Sequence, residues 1–207
     1  MIHELLHRRL HQRILFRSGQ FLFRTAFRLV WRLRVRGLEN VPMEGGLIVA
    51  SNHVSYADPP LVGCMIRRMI YFFAKQELFE VPVFGWLIRQ VNAFPVNRME
   101  HDISAFKNAQ RLLQAGGGLI MFPEGHRQKT GKLGRAKPGI GMLAKKSGVQ
   151  VLPVYVHNTG RLTTFQPVWL CFGTPITVRE DEEYQDFSNR VLDEIRKLKE
   201  TYIGPGN

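Results

Sequence analysis

Leu47-Ile48-Val49-Ala50-Ser51-Asn52-His53-Val54-Ser55-Tyr56-Ala57-Asp58-Pro59-Pro60 is the stretch on which the reading of this chain turns. Its apolar run 47–50 has the length and composition of a buried strand. Pro59-Pro60 then opens a helix over about 60–67, because proline is tolerated in a first helical turn. A strand, a short polar loop and a helix make the repeating unit of α/β folds. The loop carries His53 and Asp58, five residues apart. An imidazole titrates near neutrality, and a nearby carboxylate fixes its tautomer and steadies its cation, which suffices to draw a proton from a hydroxyl. The same two residues equally suit a plain helix start. The pair alone does not decide between them.

Outward from this stretch, the alternation of element types continues. Leu33 to Val35 reads as a first strand ending at Gly37, and Pro42, Gly45 and Gly46 turn the chain into the strand at 47–50. Strands follow at 69–74, about 91–96, 119–122, 151–156 and 168–172. Helices are expected at 77–89 with an interruption near Pro82, and at 101–115, 139–147 and 181–200. Gly116-Gly117-Gly118 sits between a helix end and a strand start, which favours C-capping over phosphate binding. The expected fold is a single α/β domain, residues 33–207, with a mostly parallel or mixed sheet flanked by helices. Residues 1–32 precede it as amphipathic helices. A chain of 207 residues is long enough to bury such a core without disulfides or metal.

Charge is unevenly distributed. Residues 1–36 hold nine arginines and one acid, Glu4, a net +8 of the chain's formal +12. Residues 2–31 read as two helical pieces broken near Ser18-Gly19. Arg24, Arg28 and Arg32 recur every four residues among Phe21, Leu22, Phe23, Phe27, Leu29, Val30 and Trp31. An aromatic-rich apolar face bordered by arginine describes a helix lying in a membrane interface. Docking on the protein's own core is the competing reading. No run approaches the roughly 18 apolar residues needed to span a bilayer, and the arginines argue against a signal peptide. His3, His7 and His11 form an i, i+4 row without a further ligand type. Cys64 and Cys171 are far apart, form no metal or redox spacing, and suit a reducing compartment.

A second group of residues leaves the strand at 119–122: Phe122-Pro123-Glu124-Gly125-His126-Arg127. In α/β sheets, ligands gather where strands end. If this strand lies parallel to and near 47–50, Glu124 and Arg127 face the same cleft as His53, with Gly125 allowing the turn. Arg98 and Lys137 stand where they can join them. Fixed cations beside a proton acceptor suit a hydroxyl substrate bearing phosphate. A phosphate-loop reading of Gly125 to Gly131-Lys132 fails, because five residues intervene and Leu133 replaces the required Ser or Thr.

Together these residues resemble the glycerolipid acyltransferase family, of the 1-acylglycerol-3-phosphate acyltransferase or lysophospholipid acyltransferase type. Asn52-His53-Val54-Ser55-Tyr56-Ala57-Asp58 is similar to its Asn-His-x-x-x-x-Asp block, and Phe94-Pro95-Val96-Asn97-Arg98 to its arginine block. Phe122-Pro123-Glu124-Gly125 and Val151-Leu152-Pro153-Val154 match the third and fourth, in order, over about Val35 to Phe172. The resemblance implies His53 as general base and Asp58 as its partner. It implies Arg98 and Glu124, with Gly125 shaping the turn, around the acceptor's glycerol phosphate, and Lys137 as a phosphate contact; Arg127 joins this substrate-binding set by its place in the same loop. Asn97 and His126 depart from the residues usual at those places.

The activity so implied is acyl transfer from acyl-CoA or acyl carrier protein, as co-substrate, to the free hydroxyl of a lysophospholipid. 1-Acylglycerol-3-phosphate giving phosphatidate is the first choice, and another lysolipid such as a lyso-ornithine lipid is the second. No cofactor and no metal are expected. The partners are membrane lipids and not nucleic acid, at the cytoplasmic face of an inner membrane. A basic nucleic-acid-binding module explains the charge but not four ordered blocks. A hydrolase using the same pair with water is another alternative, and a catalytically silent membrane-bound relative a third, against which the intact His53 and Asp58 count.

Overall fold

The structure is a computed structural model that describes residues 10–82, 85, 92–96, 103–128 and 131–204. Among the described residues seven strands form one sheet: β1 (Arg34–Arg36), β2 (Leu47–Ser51), β3 (Ile70–Lys75), β4 (Ala93–Val96), β5 (Gly118–Met121), β6 (Gln150–His157) and β7 (Trp169–Phe172). Their order is β1-β7-β6-β2-β5-β3-β4. Every neighbouring pair is parallel except β6 and β7. The expected mixed, mostly parallel sheet is what forms.

β2 lies at the centre, between β6 and β5, and all five of its residues are buried. A parallel strand covered on both faces has no solvated side, which is why 47–50 is continuously apolar instead of alternating. Its side chains still divide between the faces. Leu47 and Val49 pack with Leu61, Val62 and Met65 of α2 (Asp58–Met65) and with Phe27 of α1 (Leu10–Val30). Ile48 and Ala50 turn the other way, toward α3 (Ile103–Gln114), α4 (Gly139–Ser147) and α5 (Tyr184–Ile203). There Leu112, Leu143, Phe187 and Val191 close the second core. At the sheet's edge, the short β1 exposes Arg34 and Arg36, with Arg34 over the Trp169 ring at 4.8 Å. Charged residues on a short edge strand discourage pairing with another chain.

The triple glycine behaves as a helix stop. Gly116 takes a φ of 83°, its N–H donates to Leu113 O, and the Gly117 N–H donates to Leu112 O. That pair of bonds satisfies the last carbonyls of α3.

The N-terminal segment departs from expectation. The described part is one helix, α1, which runs through Ser18-Gly19 without a break. Glycine there costs about 1 kcal/mol relative to alanine, too little to interrupt 21 residues of helix docked on the domain. The arginine stripe is also divided. Gln20 and Arg24 turn inward and donate to Gly63 O and Cys64 O, carbonyls of the last turn of α2. Ile66 follows that turn in an extended conformation, so these side chains supply its C-terminal partners. Phe23, Phe27 and Trp31 stack along the same inner face, with successive ring centroids 4.6 Å apart. Phe21, Leu22, Leu29 and Val30 face outward with Arg28, and Arg32 is exposed just past the helix end. Docking and exposure are therefore both present, on opposite faces of one helix. Among the described residues no helix is long and apolar enough to cross a membrane. His3 and His7 lie outside the described residues, as do residues 83–84 and 86–89 of the segment expected as a helix at 77–89, whose described start is a short 3₁₀ helix, Gln76–Phe79.

Candidate active site

The site forms where β2, β5 and β6 end. β2 stops at Ser51, opposite Val154 of β6. The Asn52 side chain then continues the pairing in place of the backbone. Its Nδ2 donates to Val156 O at 2.9 Å, and its Oδ1 accepts the Val156 N–H at 2.7 Å. A carboxamide offers the donor and acceptor of a peptide group, so Asn52 fixes the strand's exit while freeing the main chain to turn. His53 follows, buried, with its ring stacked 3.9 Å from that of Phe122 at the end of β5.

Asp58 is the first residue of α2 and is fully buried. Its Oδ2 accepts the Val54 N–H at 2.7 Å and the Ser55 N–H at 2.8 Å, and lies 3.0 Å from His53 Nδ1. Its Oδ1 takes the Thr159 hydroxyl at 2.5 Å. The two readings of the pair thus coincide, since the carboxylate that closes the loop before the helix also orients the imidazole. A carboxylate only accepts, so Nδ1 carries the proton and the lone pair sits on Nε2. Ser55 spends its hydroxyl locally, accepting the Ala57 N–H at 3.2 Å.

Glu124 comes off β5 and is also fully buried. Its Oε2 accepts the His53 N–H at 3.1 Å and its Oε1 the Gly134 N–H at 2.7 Å. Burial pushes this carboxyl above its usual range, while the two amide bonds and the neighbouring histidines pull the other way. The Gln128 N–H donates to His53 O at 2.7 Å. The main chain of His53 is therefore gripped at both ends by the loop that follows β5.

The parallel neighbours β2 and β5 do bring the two sequence blocks together. Gly125 adopts a φ of 73°, a left-handed conformation that favours glycine, and the exposed Lys137 side chain lies against it. Lys137 is exposed and its N–H is tied to Pro123 O. Arg127 stacks its guanidinium 3.6 Å from the centre of the exposed Tyr56 ring, linking the two loops at the surface. His126 is exposed beside Gln128. Arg98 lies outside the described residues. Burial raises the thiols of Cys64 and Cys171 to about 11 each, so both are protonated and unreactive near neutrality.

Thr159 is the partner that sequence reading passed over. It is buried 101 positions from Asp58, just past the end of β6. A hydroxyl residue at the carboxyl end of a third strand was the available signal, but nothing in the spacing ties it to Asp58.

The fold and sequence both have known relatives. A crystal structure of the 1-acyl-sn-glycerophosphate (LPA) acyltransferase PlsC from Thermotoga maritima superposes with a TM-score of 0.76 at 27% identity, over 96% of this chain and 85% of that one. The 1-acyl-sn-glycerol-3-phosphate acyltransferase of Streptococcus pneumoniae is 32% identical over 165 residues, 74% of this chain and 60% of the relative. A chloroplastic 1-acyl-sn-glycerol-3-phosphate acyltransferase of Arabidopsis thaliana is 31% identical over 135 residues, 64% of this chain and 38% of the relative. The chain thus spans about two to three fifths of the length of these two curated proteins. Residues 32–157, which contain the His53 loop, the Glu124 loop and all but two residues of the way to Thr159, match the family model Acyltransferase, and the chain belongs to that family.

Proposed function

We propose that this chain is an O-acyltransferase that moves a fatty acyl group from an acyl thioester to the free hydroxyl of a lysophospholipid, with 1-acylglycerol-3-phosphate as the acceptor. The observation that carries the reading is the buried His53–Asp58 pair, whose 3.0 Å contact directs the Nε2 lone pair away from the carboxylate. Nε2 takes the proton from the acceptor hydroxyl as its oxygen attacks the thioester carbonyl carbon. The tetrahedral intermediate collapses, the carbon–sulfur bond breaks, and the departing thiolate takes the proton back from the imidazolium. An ester and a free thiol result. A thiolate leaves readily enough that no acyl-enzyme is needed, in keeping with two inert cysteines. Arg127 and Lys137, with Arg98, supply the positive charge for the acceptor's phosphate. The acyl donor is acyl-CoA or acyl carrier protein. The names of the relatives support the choice of acceptor.

The test is an acyl-transfer assay with both donors against lysophosphatidate, other lysophospholipids and a lyso-ornithine lipid. Phosphatidate is the expected product. Thioester cleavage without transfer to any lysolipid would make the protein a hydrolase.

We further infer that the outer face of α1 lies in a membrane interface, at the cytoplasmic side of an inner membrane. Phe21 and Leu22 are each 68% exposed and Leu29 77%, beside the cationic Arg28 and Arg32. Apolar side chains with arginines around them partition into an anionic lipid surface. Removing the whole helix would also remove Phe27 from the core, so the surface must be tested by substitution. The triple variant Phe21→Ser, Leu22→Ser, Leu29→Ser is expected to lose at least about tenfold in partitioning onto anionic vesicles, given about 1.5–3 kcal/mol per fully buried large side chain. Its melting temperature should stay that of the parent. Sedimentation with vesicles equal to the parent would refute the placement.

A further inference from the structure

The Asp58 carboxylate is served unequally. Oδ2 has three partners, the His53 ring and the amides of Val54 and Ser55, all within five residues of it in sequence. Oδ1 takes one, the Thr159 hydroxyl, from a different strand's exit. A fully buried carboxylate needs its lone pairs met, and one that orients an imidazole must not rotate about its Cβ–Cγ bond. Local bonds hold one oxygen, and a single long-range bond holds the other.

Thr159 is itself rigidly placed. Asn158 before it takes a left-handed conformation, φ 65°, and anchors by donating to Pro167 O at 3.0 Å. The Arg161 N–H closes back onto Asn158 O at 3.0 Å. Further along this turn, Leu162 O accepts the Trp31 indole N–H at 2.7 Å, so the turn is pinned to the end of α1. Thr159 is buried, and its hydroxyl has been delivered to Asp58 by a segment fixed on both sides.

We propose that Thr159 is a positioning residue for the acyl-transfer reaction: its hydroxyl locks the Asp58 carboxylate in the plane that presents Oδ2 to His53 Nδ1. It acts through Asp58 and touches no reacting atom. The inference rests on His53 being the base. Thr159→Val keeps the shape and removes the donor, leaving a buried charged oxygen without it. Loss of a hydrogen bond to a charged group then lowers kcat by about 10- to 100-fold with KM unchanged. Thr159→Ser retains the hydroxyl and restores kcat to near the parent value.

The experiment measures kcat and KM on the full chain for Thr159→Val, Thr159→Ser and His53→Ala in parallel, with melting curves for each. It also records the proton spectrum of the unaltered protein. There the Thr159 hydroxyl proton should exchange slowly with water and show a cross-peak to Asp58, a result that does not depend on any variant folding. A parent-like kcat in Thr159→Val, with His53→Ala inactive, overturns the positioning role and leaves the base in place. Equal losses in the Val and Ser variants, or a rise in KM alone, reduce Thr159 to packing and also overturn it. Full activity in His53→Ala would remove the base itself, and the role of Thr159 with it. Absence of the hydroxyl cross-peak in the unaltered protein counts against the bond directly.

Discussion

His53→Ala is expected to slow acyl transfer by about 100- to 10,000-fold, the range a positioned general base contributes, while the protein folds and binds vesicles as before. The reason the fold survives lies in the main chain. Residue 53 is held through its N–H on Glu124 and its carbonyl under the Gln128 N–H, and alanine keeps both bonds. The Asp58 carboxylate keeps the Val54 and Ser55 amides and the Thr159 hydroxyl. What disappears is the imidazole and its stack on Phe122, so a void opens beside one ring and no buried amide is orphaned. Initial rates with saturating donor, beside a melting curve, separate chemistry from stability. A rate within a few-fold of the parent would remove His53 from the reaction.

Glu124 should give the largest change in stability. Its two oxygens each accept one backbone N–H, from residues on different loops, in a fully buried setting. Glu124→Gln offers one carbonyl oxygen, and its amide nitrogen faces the other N–H, donor against donor. One buried bond is lost, a cost of about 1–3 kcal/mol. Glu124→Ala orphans both amides and leaves a cavity, and about 3–5 kcal/mol is expected. At about 2–4 °C per kcal/mol for a domain of this size, the alanine variant melts roughly 10 °C lower. Activity falls as well, because the grip on His53 loosens. This reading differs from a carboxylate that mainly contacts the acceptor. If Glu124→Gln raises KM for the lysolipid and melts like the parent, the brace is wrong and substrate contact is right.

How far the fold was legible can be traced through particular elements. β2 was plain because a strand buried on both faces is written as an unbroken apolar run, and the helices at 103–114 and 139–147 because each ends at a glycine. The continuity of α1 was not. Ser18-Gly19 has low helical propensity, and what outweighs it is docking: Gln20 and Arg24 on the end of α2, and Phe23, Phe27 and Trp31 on the core. The same docking took Arg24 out of the stripe that its spacing promised, since a four-residue repeat cannot tell solvent from a neighbouring helix's carbonyls.

The site divides along the same line. The nearness of His53 to Asp58 was readable because five residues and one tight loop enforce it. That Glu124 belongs with them was an expectation conditional on two strands being parallel neighbours, which β2 and β5 are. What Glu124 does there was not readable. Its side chain turned out to hold backbone amides, and the requirement that buried N–H groups find acceptors acts only once the amides of His53 and Gly134 have come together around it. The link between Thr159 and Asp58 was not readable, since no spacing ties residues 101 positions apart.

By itself, then, the sequence singled out candidate residues for the chemistry and placed them at the ends of strands in an α/β domain, which follows from apolar patterning and local spacing, while their motifs in order carried the family resemblance. Only the tertiary structure decided that β6 lies against β2 on one side and β5 on the other, and hence that Thr159 and Glu124 reach the same loop from 101 and 71 residues away. Strand order is set by how helices and sheet bury their apolar faces together, a property of the whole packed chain that no local stretch encodes.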